Sequence, residues 1–175
     1  MKTMKTLLML PLLAIAAVGS SQNFPTYEFK NKPVPAFKLE STTGAKLTPA
    51  SLKGKVYLID FWATWCGPCK AAMPTMQRLN NKYKAQGFQV IGANILEHDA
   101  NKPAVAAKFK AQSKLNYTFA KNTPDSEKFA DTLKVQGIPT FILVDKKGVI
   151  REVQVGFSSS HEADLAKKIE SLLKG

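Results

Sequence analysis

The chain alternates between short apolar runs and longer stretches in which apolar residues recur every three or four positions. Apolar runs with strand-forming residues predict buried strands, and they occupy 56–62, 88–94 and 140–144. Apolar residues at helical spacing predict helices, which begin after Cys69, Asn101, Thr123 and Ser159. Shorter strands are predicted at 117–120 and 149–155, and alternating residues at 36–47 predict a hairpin with one buried face. Strands and helices in this alternation predict an α/β fold.

The start of the last helix has a recognisable capping pattern. Ser159 and Glu162 have the spacing of a capping box, in which two side chains bond to backbone N–H groups at the helix start. His161 lies between them and is expected to be solvated.

The first twenty residues have the composition of an export signal. Lys2 and Lys5 precede an apolar run at 7–18, and small residues follow at 19–21. This run is too short to cross a bilayer comfortably, since a spanning helix takes roughly 20 residues. We therefore expect a cleaved signal peptide at 1–20, with an uncleaved membrane anchor as the alternative.

The rest of the chain has the length of one domain. Residues 21–35 are polar and punctuated by proline, which predicts an extended leader on the surface, and 36–175 are predicted to form the domain itself. The formal net charge of +12 comes from scattered lysines, with no arginine-rich cluster among aromatic residues. Nucleic-acid binding is therefore not expected. We expect a monomer.

Two cysteines, Cys66 and Cys69, are the only ones in the sequence, and they lie where the first long strand passes into a helix. A helix N-terminus stabilises a thiolate, which is the form of cysteine that attacks disulfides. A structural disulfide is one alternative, although a cross-link over so short a loop stabilises little. A zinc site is another, although His98 and His161 stand alone, without ligand spacing. The pattern favours redox chemistry without a metal or a cofactor.

Asp60 interrupts the apolar run at 56–62. An acid inside such a run is costly unless it has a partner or a function. The alternative is a carboxylate that is exposed at the end of the strand.

Two separate motifs carry a family resemblance. The run from Asp60 to Lys70, Asp-Phe-Trp-Ala-Thr-Trp-Cys-Gly-Pro-Cys-Lys, resembles the active-site segment of thioredoxins. Far downstream, Gly137-Ile138-Pro139-Thr140 is similar to the motif in which thioredoxin-like proteins carry a cis-proline facing the cysteine pair. The hairpin at 36–47 and the extra helix and strand between 101 and 120 resemble the exported group that includes TlpA and ResA. This resemblance implies a thioredoxin-like three-layer α/β/α sandwich with a mixed central sheet, an N-terminal β-hairpin and a central helix-strand insertion.

The resemblance also implies an activity, that of a thiol:disulfide oxidoreductase. Cys66 would attack a partner disulfide, and Cys69, deprotonated with the help of Asp60, would release the reduced product. A docking surface for an extended peptide is implied around the cysteines and the proline, formed by Trp65, Gly67, Pro68, Ile138, Pro139 and Gly156.

The Gly-Pro dipeptide between the cysteines favours a reductase within this family. The implied partners are exported proteins that contain disulfides, with apocytochrome c as a precedent, and a membrane electron donor that re-reduces the pair. The implied location is the periplasm or the cell exterior. A disulfide oxidase or isomerase is the alternative, and a thiol peroxidase and a non-catalytic binding module are further ones. Ala63 disfavours the peroxidase, because such enzymes carry threonine at that position.

Two positions depart from the family pattern. Ala72 stands where the ResA group has a glutamate, and the lysine that partners the buried acid of thioredoxin falls at or beside Gly92. We therefore expect Asp60 to lack that cation.

Overall fold

A five-stranded mixed sheet is the centre of the computed structural model, which describes residues 24–175. The strands of the described residues are β1 (Leu39–Glu40), β2 (Lys46–Leu47), β3 (Val56–Trp62), β4 (Phe88–Asn94), β5 (Thr118–Ala120), β6 (Thr140–Val144) and β7 (Ile150–Val155). β1 and β2 form the predicted hairpin, and the large sheet has the order β5-β4-β3-β6-β7. β3, β4 and β5 are parallel, whereas β6 is antiparallel to both β3 and β7. The long apolar strand β3 therefore lies in the middle.

Helices cover both faces of this sheet. Within residues 24–175 they are α1 (Gly67–Tyr83), α2 (Lys102–Gln112), α3 (Pro124–Thr132) and α4 (His161–Lys174). Side chains of α1, α2 and α4 pack on one face with Val56, Leu58 and Trp62 of β3. Side chains of α3 and of the hairpin pack on the other face with Tyr57 and Ile59. Residues of β3 alternate between these two apolar clusters, as a strand buried on both faces requires. The predicted three-layer thioredoxin-like fold is confirmed.

The capping box predicted for α4 is wrong. The helix begins after Ser160, whose side chain makes no capping hydrogen bond. The Glu162 carboxylate instead pairs with the Arg78 guanidinium at 2.6 Å and accepts a hydrogen bond from the Thr75 hydroxyl at 3.2 Å. A charged partner on α1 offers a stronger hydrogen bond than a backbone N–H does. Glu162 therefore ties α4 to α1.

His161 also differs from its prediction. It is half-buried, and its Nδ1 lies 2.6 Å from Nε2 of Gln154 on β7. The first turn of α4 is thereby held against the edge of the sheet.

The segment predicted as an extended leader folds against the domain. It contains a 3-10 helix at Pro25–Phe29, and the buried Thr26 hydroxyl donates to the carbonyl of Lys134 at 2.8 Å. Asn31 N–H then donates to the carbonyl of Ile150 in β7 at 2.7 Å. An unpaired backbone group at a sheet edge gains a partner in this way, so this part of the segment is bonded to the edge strand β7.

The hairpin occupies the opposite edge of the sheet. Thr42 N–H donates to the carbonyl of Phe119 in β5, and Lys121 N–H donates to the carbonyl of Glu40, both at 2.8 Å. The predicted signal peptide at 1–20 lies outside the described residues. Among residues 24–175, none of the helices has the length and apolar character needed to span a bilayer.

Candidate active site

The two cysteines meet where β3 passes into α1. They form a disulfide with an S–S distance of 2.02 Å, and Cys66 is the N-cap residue of the helix. The Cys66 sulfur accepts a hydrogen bond from the backbone N–H of Cys69 at 3.1 Å. Pro68 stands in the first turn, where a missing N–H costs nothing. When the pair is reduced, this N–H and the helix dipole favour a thiolate at Cys66.

Both cysteines have little exposure to solvent. Cys66 is 4% exposed and Cys69 is fully buried, whereas Gly67 and Pro68 between them are exposed. The Gly-Pro turn between the cysteines is therefore more exposed than either cysteine.

An exposed aromatic ring stands beside the cysteines. Trp65 is 51% exposed, and its indole N–H donates to the carbonyl of Leu96 at 2.8 Å. Its ring stacks on His98 with the ring centroids 5.5 Å apart. Leu96 is itself 44% exposed. The sequence placed Trp65 in the predicted docking surface and did not indicate that Leu96 and His98 contact it.

The peptide bond between Ile138 and Pro139 is cis, which confirms that prediction. The carbonyl of Pro139 accepts a hydrogen bond from Gly156 N–H at 2.8 Å. Ile138 and Phe157 pack against the apolar cluster that contains both cysteines. The second motif lies beside the first because Thr140 of β6 pairs with Phe61 of β3.

Asp60 is fully buried, so the alternative of an exposed carboxylate is wrong. Both of its carboxylate oxygens lack a hydrogen-bond partner among the described residues. Burial raises the pKa of Asp60 to about 8, because a charge in an apolar interior is poorly solvated. Its cross-strand neighbour on β4 is Gly92, which offers no cation.

A second buried acid supports the loop before Cys66, and sequence reasoning missed it. Glu97 is 4% exposed and accepts hydrogen bonds from the Thr64 N–H at 2.6 Å, the Thr64 hydroxyl at 2.7 Å and the Asn94 amide at 2.7 Å. A signal for it existed, because Glu97 follows β4 as Thr64 follows β3, and parallel strands end at the same edge of a sheet. Glu97 fixes the backbone two residues before the cysteine.

No group of three or more histidine, cysteine, aspartate and glutamate side chains in the described part of the chain is arranged to hold a metal ion.

The Redoxin family model matches residues 29–169. The chain belongs to the redoxin family. Its relatives include a thiol-disulfide oxidoreductase ResA from Bacillus cereus, 33% identical over 134 residues that cover 76% of this chain and 73% of the relative. A thioredoxin-like protein YneN from Bacillus subtilis is 32% identical over 130 residues, covering 74% of each chain.

Solved structures agree with this redoxin assignment. A crystal structure from Chlorobium tepidum, described as a thiol:disulfide interchange protein DsbE, matches with a TM-score of 0.73 and 35% identity, covering 82% of this chain and 97% of the other. The predicted relationship to TlpA- and ResA-type proteins is confirmed, and so is the predicted enzyme class, a thiol-disulfide oxidoreductase.

Proposed function

We propose that this chain is an exported reductase of protein disulfides that works through Cys66 and Cys69. The observation that carries the proposal is the position of Cys66 at the N-cap of α1, where its sulfur accepts the Cys69 N–H at 3.1 Å. That contact prepares the site for a negative charge on one sulfur and keeps the second sulfur adjacent to it.

The proposed reaction moves two electrons from the enzyme to its substrate. The Cys66 thiolate attacks one sulfur of a substrate disulfide, that S–S bond breaks, and the leaving sulfur takes up a proton. The Cys69 thiol gives its proton to the Asp60 carboxylate, and the Cys69 thiolate attacks the Cys66 sulfur. The mixed disulfide breaks, its substrate sulfur leaves as a thiolate and takes up a proton from solvent, and the substrate is then a dithiol. The enzyme is left with the Cys66–Cys69 disulfide and later releases the Asp60 proton to solvent.

Asp60 suits the role of proton acceptor because of where it is buried. With a pKa of about 8, about a tenth of the Asp60 carboxyl groups are ionised at pH 7. This ionised form accepts the proton of Cys69, and the protonated form then keeps it.

The proposed docking surface combines main-chain pairing with apolar contact. An extended substrate segment would pair with the backbone of Ile138, whose orientation the cis bond to Pro139 sets. Trp65, which is 51% exposed, would cover one side of the disulfide, with the Gly67-Pro68 turn below it. Gly156 would bound the other side. Backbone pairing of this kind accepts many sequences.

The setting of the reaction is part of the proposal. The N-terminal sequence supports export, and the names thiol-disulfide oxidoreductase and thiol:disulfide interchange protein support disulfide exchange as the reaction. The substrates would be exported proteins with disulfides, apocytochrome c among them, and a membrane electron donor would restore the dithiol. The enzyme would act as a monomer.

Redox titration of the cysteine pair tests the direction of electron flow. Equilibration with glutathione buffers is expected to give a potential near that of thioredoxin, about −270 mV. A value near about −120 mV, that of the oxidant DsbA, would instead make the protein a disulfide oxidase. Consumption of peroxide without reduction of a protein disulfide would make it a thiol peroxidase.

Trapping variants test the order of attack. With insulin as the disulfide substrate, Cys69→Ser is expected to accumulate a mixed disulfide, because the second sulfur is missing. Cys66→Ser is the matched control and is expected to trap nothing. Equal trapping by both variants would refute the assignment of Cys66 as the nucleophile.

A further inference from the structure

Several buried polar atoms that have no hydrogen-bond partner in residues 24–175 lie on the face of the sheet that carries the proposed base. They are both carboxylate oxygens of Asp60, the indole Nε1 of Trp62, the amide oxygen of Asn94 and the hydroxyl of Tyr117. All four side chains belong to residues that are at most 2% exposed. Buried polar groups are rarely left unpaired, because each one costs free energy unless a hydrogen bond replaces the lost contact with water.

The strand register brings these groups together at Gly92. Asp60 lies directly across from Gly92, and Trp62 lies directly across from Asn94. These four positions on β3 and β4 therefore share one face of the sheet. A Cβ atom on Gly92 would lie 3.2 Å from Trp62 Nε1 and 3.4 Å from Cε2 of Tyr117. Neighbouring strands are only about 4.8 Å apart. The indole N–H and the tyrosine ring therefore fill the space beside the Asp60 carboxylate.

Within residues 24–175, burial is what raises the pKa of Asp60, and no charged side chain contributes to the change. The titratable side chains of the apolar cluster on this side are Cys66, Cys69, Tyr83 and Tyr117. Glu97 reaches the group only through the amide of Asn94, at 2.7 Å.

Tyr117 keeps its proton at every pH at which the protein would work. Burial, and then the nearby negative charge of Asp60, raise the pKa of its hydroxyl. The hydroxyl is therefore a permanent hydrogen-bond donor, as the indole N–H is.

We propose that Tyr117 is a positioning residue of the active site, whose hydroxyl, together with the indole N–H of Trp62, holds the Asp60 carboxylate through one buried water. Two neutral donors thus occupy the place at which the family pattern has a lysine and this chain has Gly92. A neutral donor stabilises the ionised carboxylate without pairing it with a charge. Asp60 then remains able to take the proton of Cys69 and to keep it. This inference rests on the proposed role of Asp60 as the base.

Tyr117→Phe tests the inference, with Tyr57→Phe as the matched control. Tyr57 is also buried and its hydroxyl also lacks a partner, but it packs on the opposite face of β3. Titration of Asp60 by NMR, with the aspartate carboxyl carbons labelled, is expected to show its midpoint raised by about 1 pH unit in Tyr117→Phe, a tenfold change in the ionised fraction. Tyr57→Phe is expected to leave the midpoint where it was.

Kinetics provide the second measurement. When the reduced enzyme reacts with a chromogenic aromatic disulfide, attack by Cys66 releases one thiol and attack by Cys69 then releases the other. Tyr117→Phe is expected to slow the second release several-fold at neutral pH and to move its pH profile upward with the Asp60 midpoint. In an Asp60→Asn background, Tyr117→Phe is expected to have no further effect on that profile.

The two proposals fail in different ways. An Asp60 midpoint that is the same in Tyr117→Phe as in the wild type would overturn the inference about Tyr117. A second release that Asp60→Asn leaves unchanged would overturn the role of Asp60, whatever the NMR result. If Tyr117→Phe does not fold, Trp62→Phe is the replacement for the same titration, and a shift in the same direction is expected.

Discussion

Replacement of Asp60 by asparagine is expected to stabilise the oxidised protein by an amount that grows with pH. The carboxyl group is fully buried in β3 and has no hydrogen-bond partner among the described residues. Burial raises its pKa from an ordinary value of 3.8 to about 8. Asparagine has nearly the same shape and carries no charge, so it removes the titration while it keeps the packing.

The sign follows from the direction of the pKa change. A carboxyl group whose pKa is higher in the folded state binds its proton more tightly there than in the unfolded chain. Its favourable contribution is complete below pH 3.8 and is lost as the pH rises to about 8. Above that range, folding must bury a charge. A rise of about 4 pKa units, at about 1.36 kcal/mol per unit, makes this loss on the order of 5 kcal/mol.

Denaturant unfolding of the two oxidised proteins measures this loss. At about pH 5 the wild type is expected to retain most of the contribution, and at about pH 9 none of it. The difference in free energy of unfolding, Asp60→Asn minus wild type, is therefore expected to be larger at about pH 9 than at about pH 5 by several kcal/mol. A difference between the proteins that does not change with pH would refute the reasoning.

Asp145 provides a control in which stability is expected to change with pH in the opposite direction. Burial opposes its ionisation, but hydrogen bonds from the Val149 N–H, the Arg151 guanidinium and the Lys147 N–H outweigh burial and lower its pKa. Its contribution is therefore present at neutral pH and lost as the pH falls. Asp145→Asn is expected to destabilise the protein at neutral pH, and to do so less under acidic conditions. The same trend in both variants would point to a general effect of removing charge.

Two further predictions concern residues near the site. Gly92→Ala is expected to cost about 1–3 kcal/mol of stability through overpacking, since its Cβ would lie 3.2 Å from an indole nitrogen. Gly67→Ala is the control, because a Cβ there meets nothing within 4 Å, and equal losses in denaturant unfolding would contradict the packing argument. Glu97→Gln is expected to cost about 1–3 kcal/mol, because it leaves buried donors without an acceptor. It should also speed hydrogen exchange at the Thr64 N–H, which now bonds to the carboxylate at 2.6 Å, so unchanged exchange would argue against that role.

The features that could be predicted from the sequence are those whose causes are local. Cys66 and Cys69 stand at a strand-to-helix junction that the apolar pattern reveals, and the motif around Pro139 is equally short. The burial of Asp60 follows from its place inside an apolar run, because both faces of such a strand are covered. These signals were sufficient for the fold, the cysteine pair and the cis-proline.

The features that were missed join residues that are distant in the chain. Glu97 accepts a hydrogen bond from Thr64, which lies 33 residues earlier. Glu162 pairs with Arg78, which lies 84 residues earlier, and does not cap its own helix. The register of the strands and the packing of the helices decide such pairs, and a local pattern carries neither. The approach of Tyr117 to Gly92 belongs to the same class, because it depends on how three strands line up.

Both outer edges of the large sheet are occupied by chain that precedes β3. The hairpin bonds to β5 at one edge, and the segment after Pro25–Phe29 bonds to Ile150 of β7 at the other. An open sheet edge can pair with a strand of another chain, which begins aggregation. A version trimmed to start at residue 36, as a reading of the motifs alone would suggest, would uncover one of these edges. We expect this trimmed version to aggregate on storage, whereas the chain that keeps residues 24–35 stays in solution.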